Sequence, residues 1–162
     1  VTHALLKIPG GIDDKNVPAV TFTDPEIAHT GRSASELDAN NVSYQTYYFP
    51  YSKIDRAVME NEDFGMIKVF ANKITGKIYG AAVLGSHAGE LISEYNVAMK
   101  NGVSLRALAD TIHPYPSWSL GARRAADQWY IKNQSVWSVK LIKGLFGYRG
   151  GIPDLSDPDR VV

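Results

Sequence analysis

His113 and Tyr115 are the side chains of this sequence best placed to do chemistry. They lie two apart in residues 108–124 (LADTIHPYPSWSLGARR), interleaved with Pro114 and Pro116. An imidazole changes its charge near neutral pH. A phenol, with an ordinary pKa of about 10, donates a hydrogen bond there instead. Two prolines fix φ at alternate positions and push the residues before them out of helical geometry. The segment is therefore expected to be a stiff connector between a short helix and a second helix opening near Ser117. A rigid mount for His113, Tyr115 and Trp118 suits proton transfer or tight contact with a flat ligand. A plain helix–helix corner holding a satisfied histidine explains the same spacing.

Other catalytic arrangements are hard to assemble. Nucleophilic catalysis needs a base beside the nucleophile, and no Gly-x-Ser-x-Gly elbow occurs. The four histidines, His3, His29, His87 and His113, are far apart with no His-x-x-x-His pair, so no metal site is expected. Gly80 and Gly85 flank a strand rather than forming a phosphate loop, and the GYRGG stretch follows no strand. There is no cysteine, which removes thiol chemistry performed by this chain on its own. His113 and Tyr115 would need a cofactor supplied by something else.

The elements that must position them come from a chain of 162 residues, 44% hydrophobic and 21% charged, enough for one globular domain with a core. Seventeen basic and 17 acidic side chains cancel, so nothing in the balance points to nucleic acid. No run of roughly 18 apolar residues is present, and no spanning helix is expected. The first residue is Val, and residues 1–9 (VTHALLKIP) read as the end of a helix already under way, without a signal-peptide layout. The expectation is a fragment of a longer protein.

Residues 17–22 (VPAVTF) read as a strand with Pro18 at its start, and Thr23-Asp24-Pro25-Glu26 as turn chemistry leading through 27–30 to Gly31. Ser33 and Glu36 have capping-box spacing, which predicts a helix to about Asn40. Residues 44–51 (YQTYYFPY) form an aromatic-rich strand that Pro50 marks as an edge or as the end of pairing. After residues 53–57 (KIDRA), the acidic stretch 60–63 reads as a solvated loop. Residues 64–71 and 78–84, joined by the polar turn NKITGK, make an antiparallel hairpin. Gly80 inside the return strand signals close approach by another backbone. A helix spans 88–100 with Leu91, Tyr95, Ala98 and Met99 on one face, and Glu90 and Glu94 read as a solvated or interface pair. Ser104 caps a shorter helix to Thr111, and another runs from Ser117 to about Lys132. Strands followed by helices indicate an α+β fold with an antiparallel sheet flanked by helices.

Residues 135–148 (SVWSVKLIKGLFGY) place Val136, Val139, Ile142 and Phe146 on one side, with Trp137, Leu141 and Leu145 close by and Lys140, Lys143 and Arg149 interspersed. Such a helix either lies on a membrane surface or packs on its own domain or a partner subunit. The remainder, GGIPDLSDPDRVV, reads as a loose end.

Taken in order, VPAVTFTDPEIAHTG, the Asp55-Arg56-Ala57 step, GMIKVFANKITGKIYGAAVLGSHAGELI and IHPYPS resemble the C-terminal dimerisation domain of the pyridine nucleotide-disulfide oxidoreductases over about residues 17–130. That family includes dihydrolipoamide dehydrogenase, glutathione reductase and mercuric reductase. The resemblance implies a head-to-head homodimer whose FAD and NAD(P) domains and redox-active cysteine pair lie upstream. It divides the chain into a trailing piece of the FAD-binding part (1–16), the interface domain (17–132) and a C-terminal extension (133–162). The parent protein would use FAD and NAD(P)H, with none held by this segment alone, and would be cytoplasmic, with possible membrane-peripheral contact through 135–149.

In the family the segment reads His-Pro-Thr-x-x-Glu, closing the flavin site of the partner subunit, with His as acid/base and Glu orienting it. Matching Pro116-Ser117 to Pro-Thr puts Tyr115 at the histidine position, where mercuric reductases also carry Tyr, and Leu120 at the glutamate position. Matching His113-Pro114 instead puts Trp118 where Glu would be. Neither register keeps the carboxylate. The resemblance thus nominates Tyr115 and His113 as catalytic and His113 and Pro114 as flavin-contacting residues. A non-catalytic self-association or docking module, with the basic aromatic tail on a membrane or partner, is the alternative.

Overall fold

The computed structural model describes residues 16–134 and 136–147. The helix expected over residues 1–9 and the loose end beyond residue 147 lie outside them. A five-stranded sheet in the order β1-β2-β5-β4-β3 is antiparallel throughout. Its strands are β1 (Ala19–Thr21), β2 (Ile27–Gly31), β3 (Gln45–Pro50), β4 (Met66–Ala71) and β5 (Ile78–Leu84). Helices α1 (Ala34–Ala39), α2 (Asp55–Met59), α3 (Ala88–Lys100), α4 (Leu105–Asp110), α5 (Ser119–Asn133) and α6 (Val136–Phe146) complete the α+β architecture.

Period-two alternation decides which face is covered. Ala28 and Thr30 of β2, Tyr47 and Phe49 of β3, Ile67, Val69 and Ala71 of β4, and Ala81 and Val83 of β5 are buried. They pack under α3 and α5, which contribute Leu91, Ile92, Tyr95 and Ala98, and Ala122, Ala125 and Ala126. The small residues of α5 let that helix lie close to the sheet. At Gly121 an added Cβ would stand 2.5 Å from Ile54 Cδ1.

The opposite face carries Ile27, Leu84, Met66 and Pro50 in one cross-strand row, and His29, Ala82, Lys68 and Tyr48 in the next. The covering helices α3 and α5 pack on the other side, and Ile27, His29 and Lys68 of this face are exposed.

Local chemistry accounts for the boundaries. Ser33 Oγ accepts from the Glu36 N–H at 3.2 Å while Glu36 Oε2 accepts from the Ser33 N–H at 2.8 Å, the expected capping box. Ser104 caps α4. Gly80 is where the backbones crowd: a Cβ there would meet the Arg32 carbonyl oxygen at 2.1 Å. β3 is an edge strand, and Pro50 is its last residue.

Two elements differ from expectation. Residues 27–31, read as a continuation of a turn, form β2, paired on both sides. Residues 55–59, to which the sequence pattern assigns no element, form α2, too short to show a helical period and with Ala57 buried.

Candidate functional site

The proline segment leaves α4 at Thr111 and enters α5 at Ser119, and three groups of contacts hold it. His113 is pulled inward. Its Nε2 lies 2.7 Å from Glu94 Oε1 on α3 and its Nδ1 lies 3.1 Å from the Thr111 carbonyl. Only 7% of the His113 side chain is exposed, against 29% of Glu94. A carbonyl oxygen only accepts, so the tautomer with its proton on Nδ1 satisfies the Thr111 contact, and Nε2 faces the Glu94 carboxylate.

The second hold is Ser117, whose Oγ donates to the Pro114 carbonyl at 2.6 Å and accepts from the Leu120 N–H at 3.3 Å. The third is Trp118, whose ring packs 5.4 Å from Tyr51 and 4.8 Å from His87, while its Nε1 donates to Glu60 Oε2 at 3.2 Å. Glu60 is also paired with Arg56. Tyr51 is buried and donates to the Ser86 carbonyl at 2.9 Å, so the aromatic stack reaches through β3's end into the core.

Between these holds Tyr115 stands 71% exposed, flanked by exposed Pro114 and Pro116. The Tyr115–Pro116 peptide bond is cis. The segment is thus a pinned strap that presents a phenol outward, and His113 and Tyr115 point to different surroundings.

Leu120 is 7% exposed and belongs to the buried apolar set. The carboxylate absent from the strap comes from α3, at Glu94, and it serves His113, not Tyr115. That pairing was missed because 19 residues separate the partners. Spacing had put Glu94 with Glu90, one turn away on an open helix face. Around the pair, Arg123 Nε donates to the Ala109 carbonyl at 3.2 Å, and burial pushes the Asp127 carboxyl up despite nearby Arg123, Arg124 and His113.

The Asp24-Pro25-Glu26 turn has a structural task. Glu26 Oε2 accepts from the Gly89 N–H at 3.0 Å at the start of α3, where a carboxylate is favoured by the helix dipole. With Asp24, His87 and Glu90 it lines an open cleft beside the aromatic stack, whose carboxylates make it a poor seat for a phosphate-bearing group. Among the described residues no cluster of three His, Cys, Asp or Glu could hold a metal ion.

Comparison with known proteins places this geometry. The family model for the pyridine nucleotide-disulphide oxidoreductase dimerisation domain matches residues 17–126. A dihydrolipoyl dehydrogenase of Buchnera aphidicola (subspecies Schizaphis graminum) is 41% identical over 107 residues, which cover 66% of this chain and 22% of that protein. The mitochondrial dihydrolipoyl dehydrogenase of Homo sapiens is 34% identical over 114 residues, 70% of this chain and 22% of its own. Among solved structures, LpdA of Mycobacterium tuberculosis superposes with a TM-score of 0.70 at 36% identity, covering 78% of this chain and 28% of that one. The HOCl-induced flavoprotein disulfide reductase RclA of Escherichia coli does so with a TM-score of 0.69 at 25% identity, over 79% and 29%. The chain thus spans less than a third of these relatives. The antiparallel sheet, α3, the whole strap and the first half of α5 fall inside the matched region, and on that ground the chain belongs to the dimerisation-domain family of the pyridine nucleotide-disulphide oxidoreductases.

Proposed function

We propose that this chain is the interface domain of an FAD-dependent, NAD(P)H-linked oxidoreductase of the dihydrolipoamide dehydrogenase and mercuric reductase type. In that reading its upstream domains hold both cofactors, and two copies pair as a homodimer in which each strap closes the partner's flavin site. The observation that carries it is Tyr115: a large phenol 71% exposed on a strap otherwise fixed at both ends. A side chain held out so rigidly suits a pocket on another chain or domain.

The strap residues fit a flavin held elsewhere. Prolines and a phenol offer an edge contact, and residues 111–118 carry no Lys or Arg to neutralise a phosphate. Bound flavin would supply two-electron transfer between nicotinamide and substrate. Tyr115 would donate its hydroxyl proton as a hydrogen bond to a reacting group, since a phenol stays protonated at neutral pH. Pro114 and Pro116 would exclude water at the pocket's edge, and His113 would lie behind them. The sheet face opposite α3 and α5, with Ile27 49% exposed beside Leu84 and Met66, supplies apolar surface suited to a contact with a second copy or an upstream domain.

The test is the full-length parent protein. It should purify yellow and dimeric by light scattering, and Tyr115→Phe should lower turnover by about tenfold or more with flavin content unchanged. A colourless or monomeric parent, or a Phe variant with normal kinetics, would overturn the reading.

A further inference from the structure

The last described helix faces the wrong way for a helix of a globular core. Trp137, Leu141, Ile142, Leu145 and Phe146 of α6 are 72%, 45%, 55%, 71% and 80% exposed, whereas Lys143 is half-buried. At about 100° per residue these five apolar side chains occupy roughly half the helix circumference, and by their places in the sequence Val136, Val139, Lys140 and Lys143 fall on the other half. The half bearing Trp137, Leu141 and Leu145 is turned out to solvent.

Charge says what covers it. Residues 128–153 contain Lys132, Lys140, Lys143 and Arg149 and no Asp or Glu, ahead of Asp154, Asp157 and Asp159, in a chain whose 17 basic and 17 acidic side chains cancel as a whole. Every net charge of this stretch is positive. A second copy of the same helix would add like charge to like, whereas an anionic lipid surface neutralises it. Trp137 near one end and Phe146 at the other suit the headgroup boundary, where aromatic rings concentrate. Eleven residues extend about 17 Å, too short for a hydrocarbon layer of about 30 Å. Among the described residues no helix is long and apolar enough to cross a membrane. The geometry left is a helix lying in the plane of the interface.

We propose that α6 seats the protein peripherally on an anionic bilayer, its Trp137–Leu141–Leu145 side in the headgroup layer and its lysines at the phosphates. The attachment is independent of the strap and of any flavin chemistry. The test is vesicle flotation of the full 162-residue chain. The chain should float with phosphatidylglycerol-containing vesicles and stay behind with pure phosphatidylcholine vesicles or in high salt. A Leu141→Asp, Leu145→Asp double variant should bind about tenfold less or weaker, with an unchanged circular dichroism spectrum because both side chains are exposed. Lys140→Glu with Lys143→Glu should weaken binding to the anionic vesicles in the same sense. The proposal fails if the chain does not float on phosphatidylglycerol vesicles, or if the leucine variant floats as well as the parent sequence. It also fails if light scattering shows the leucine variant losing an oligomer that the parent sequence forms, which would assign the apolar side to a second copy.

Discussion

Removing either partner of the Glu94–His113 pair should loosen the strap, and the size of the effect follows from its geometry. The contact is 2.7 Å long, one side chain is 7% exposed and the other 29%. Hydrogen bonds to charged groups contribute about 1.5–3 kcal/mol. Because the carboxylate still reaches water, the lower end of that range applies. Glu94→Ala should therefore cost about 1.5 kcal/mol, or about 5 °C in melting temperature for a chain of this size. His113→Ala removes packing as well and should cost more.

The decisive quantity is the coupling in a double-mutant cycle, measured by urea unfolding of the four proteins. Residues that share a hydrogen-bonded contact should couple by about 1 kcal/mol. Amide hydrogen exchange across residues 112–117 should speed up in both single variants, while exchange in β4 and β5 stays as it was. A coupling below about 0.3 kcal/mol would mean that each side chain acts alone, and the strap would then be held by Ser117 and Trp118 without help from α3.

Other expectations can be checked alongside. Gly80→Ala should destabilise by about 2–3 kcal/mol, read from the urea midpoint. The new Cβ would meet the Arg32 backbone at 2.1 Å, and a neutral result would refute the close approach of β5 to the end of β2. Tyr95→Phe should cost about 1 kcal/mol, because the buried hydroxyl donates to the Ala122 carbonyl at 3.1 Å between α3 and α5. Burial pushes both Tyr51 and Tyr95 above the ordinary value of 10.0. The folded protein therefore keeps protons that the unfolded chain releases, and stability should be full below pH 10 and fall above it. Tyrosinate absorbance from these two residues should appear only together with unfolding.

At the acid end, the Ser33 backbone and side-chain hydrogen bonds hold the Glu36 carboxyl below its ordinary 4.5. Its stabilising effect relative to Glu36→Gln should be complete above about pH 4.5 and vanish as the pH drops through the lowered value. A pH-independent difference between the two proteins would sink that assignment.

The sequence alone determined what depends on neighbours along the chain. The β4–β5 hairpin is written in two apolar runs around Asn72–Gly76, the capping box in Ser33 and Glu36, α3 in its periodic apolar face, and the stiffness of the strap in Pro114 and Pro116. β2 and α2 escaped notice because five residues carry too little periodicity, and because β2 is defined by partners some 50 residues away. Only the tertiary structure decided the chemistry around His113. Its carboxylate lies on another helix, and a hydrogen bond between residues 94 and 113 leaves no trace in spacing, since packing α4 and α5 against α3 is what brings the two together. The same packing turned His113 inward and left Tyr115 outward. Neighbours two apart on a rigid connector leave in different directions, and which of them meets the core is set by the surface beneath.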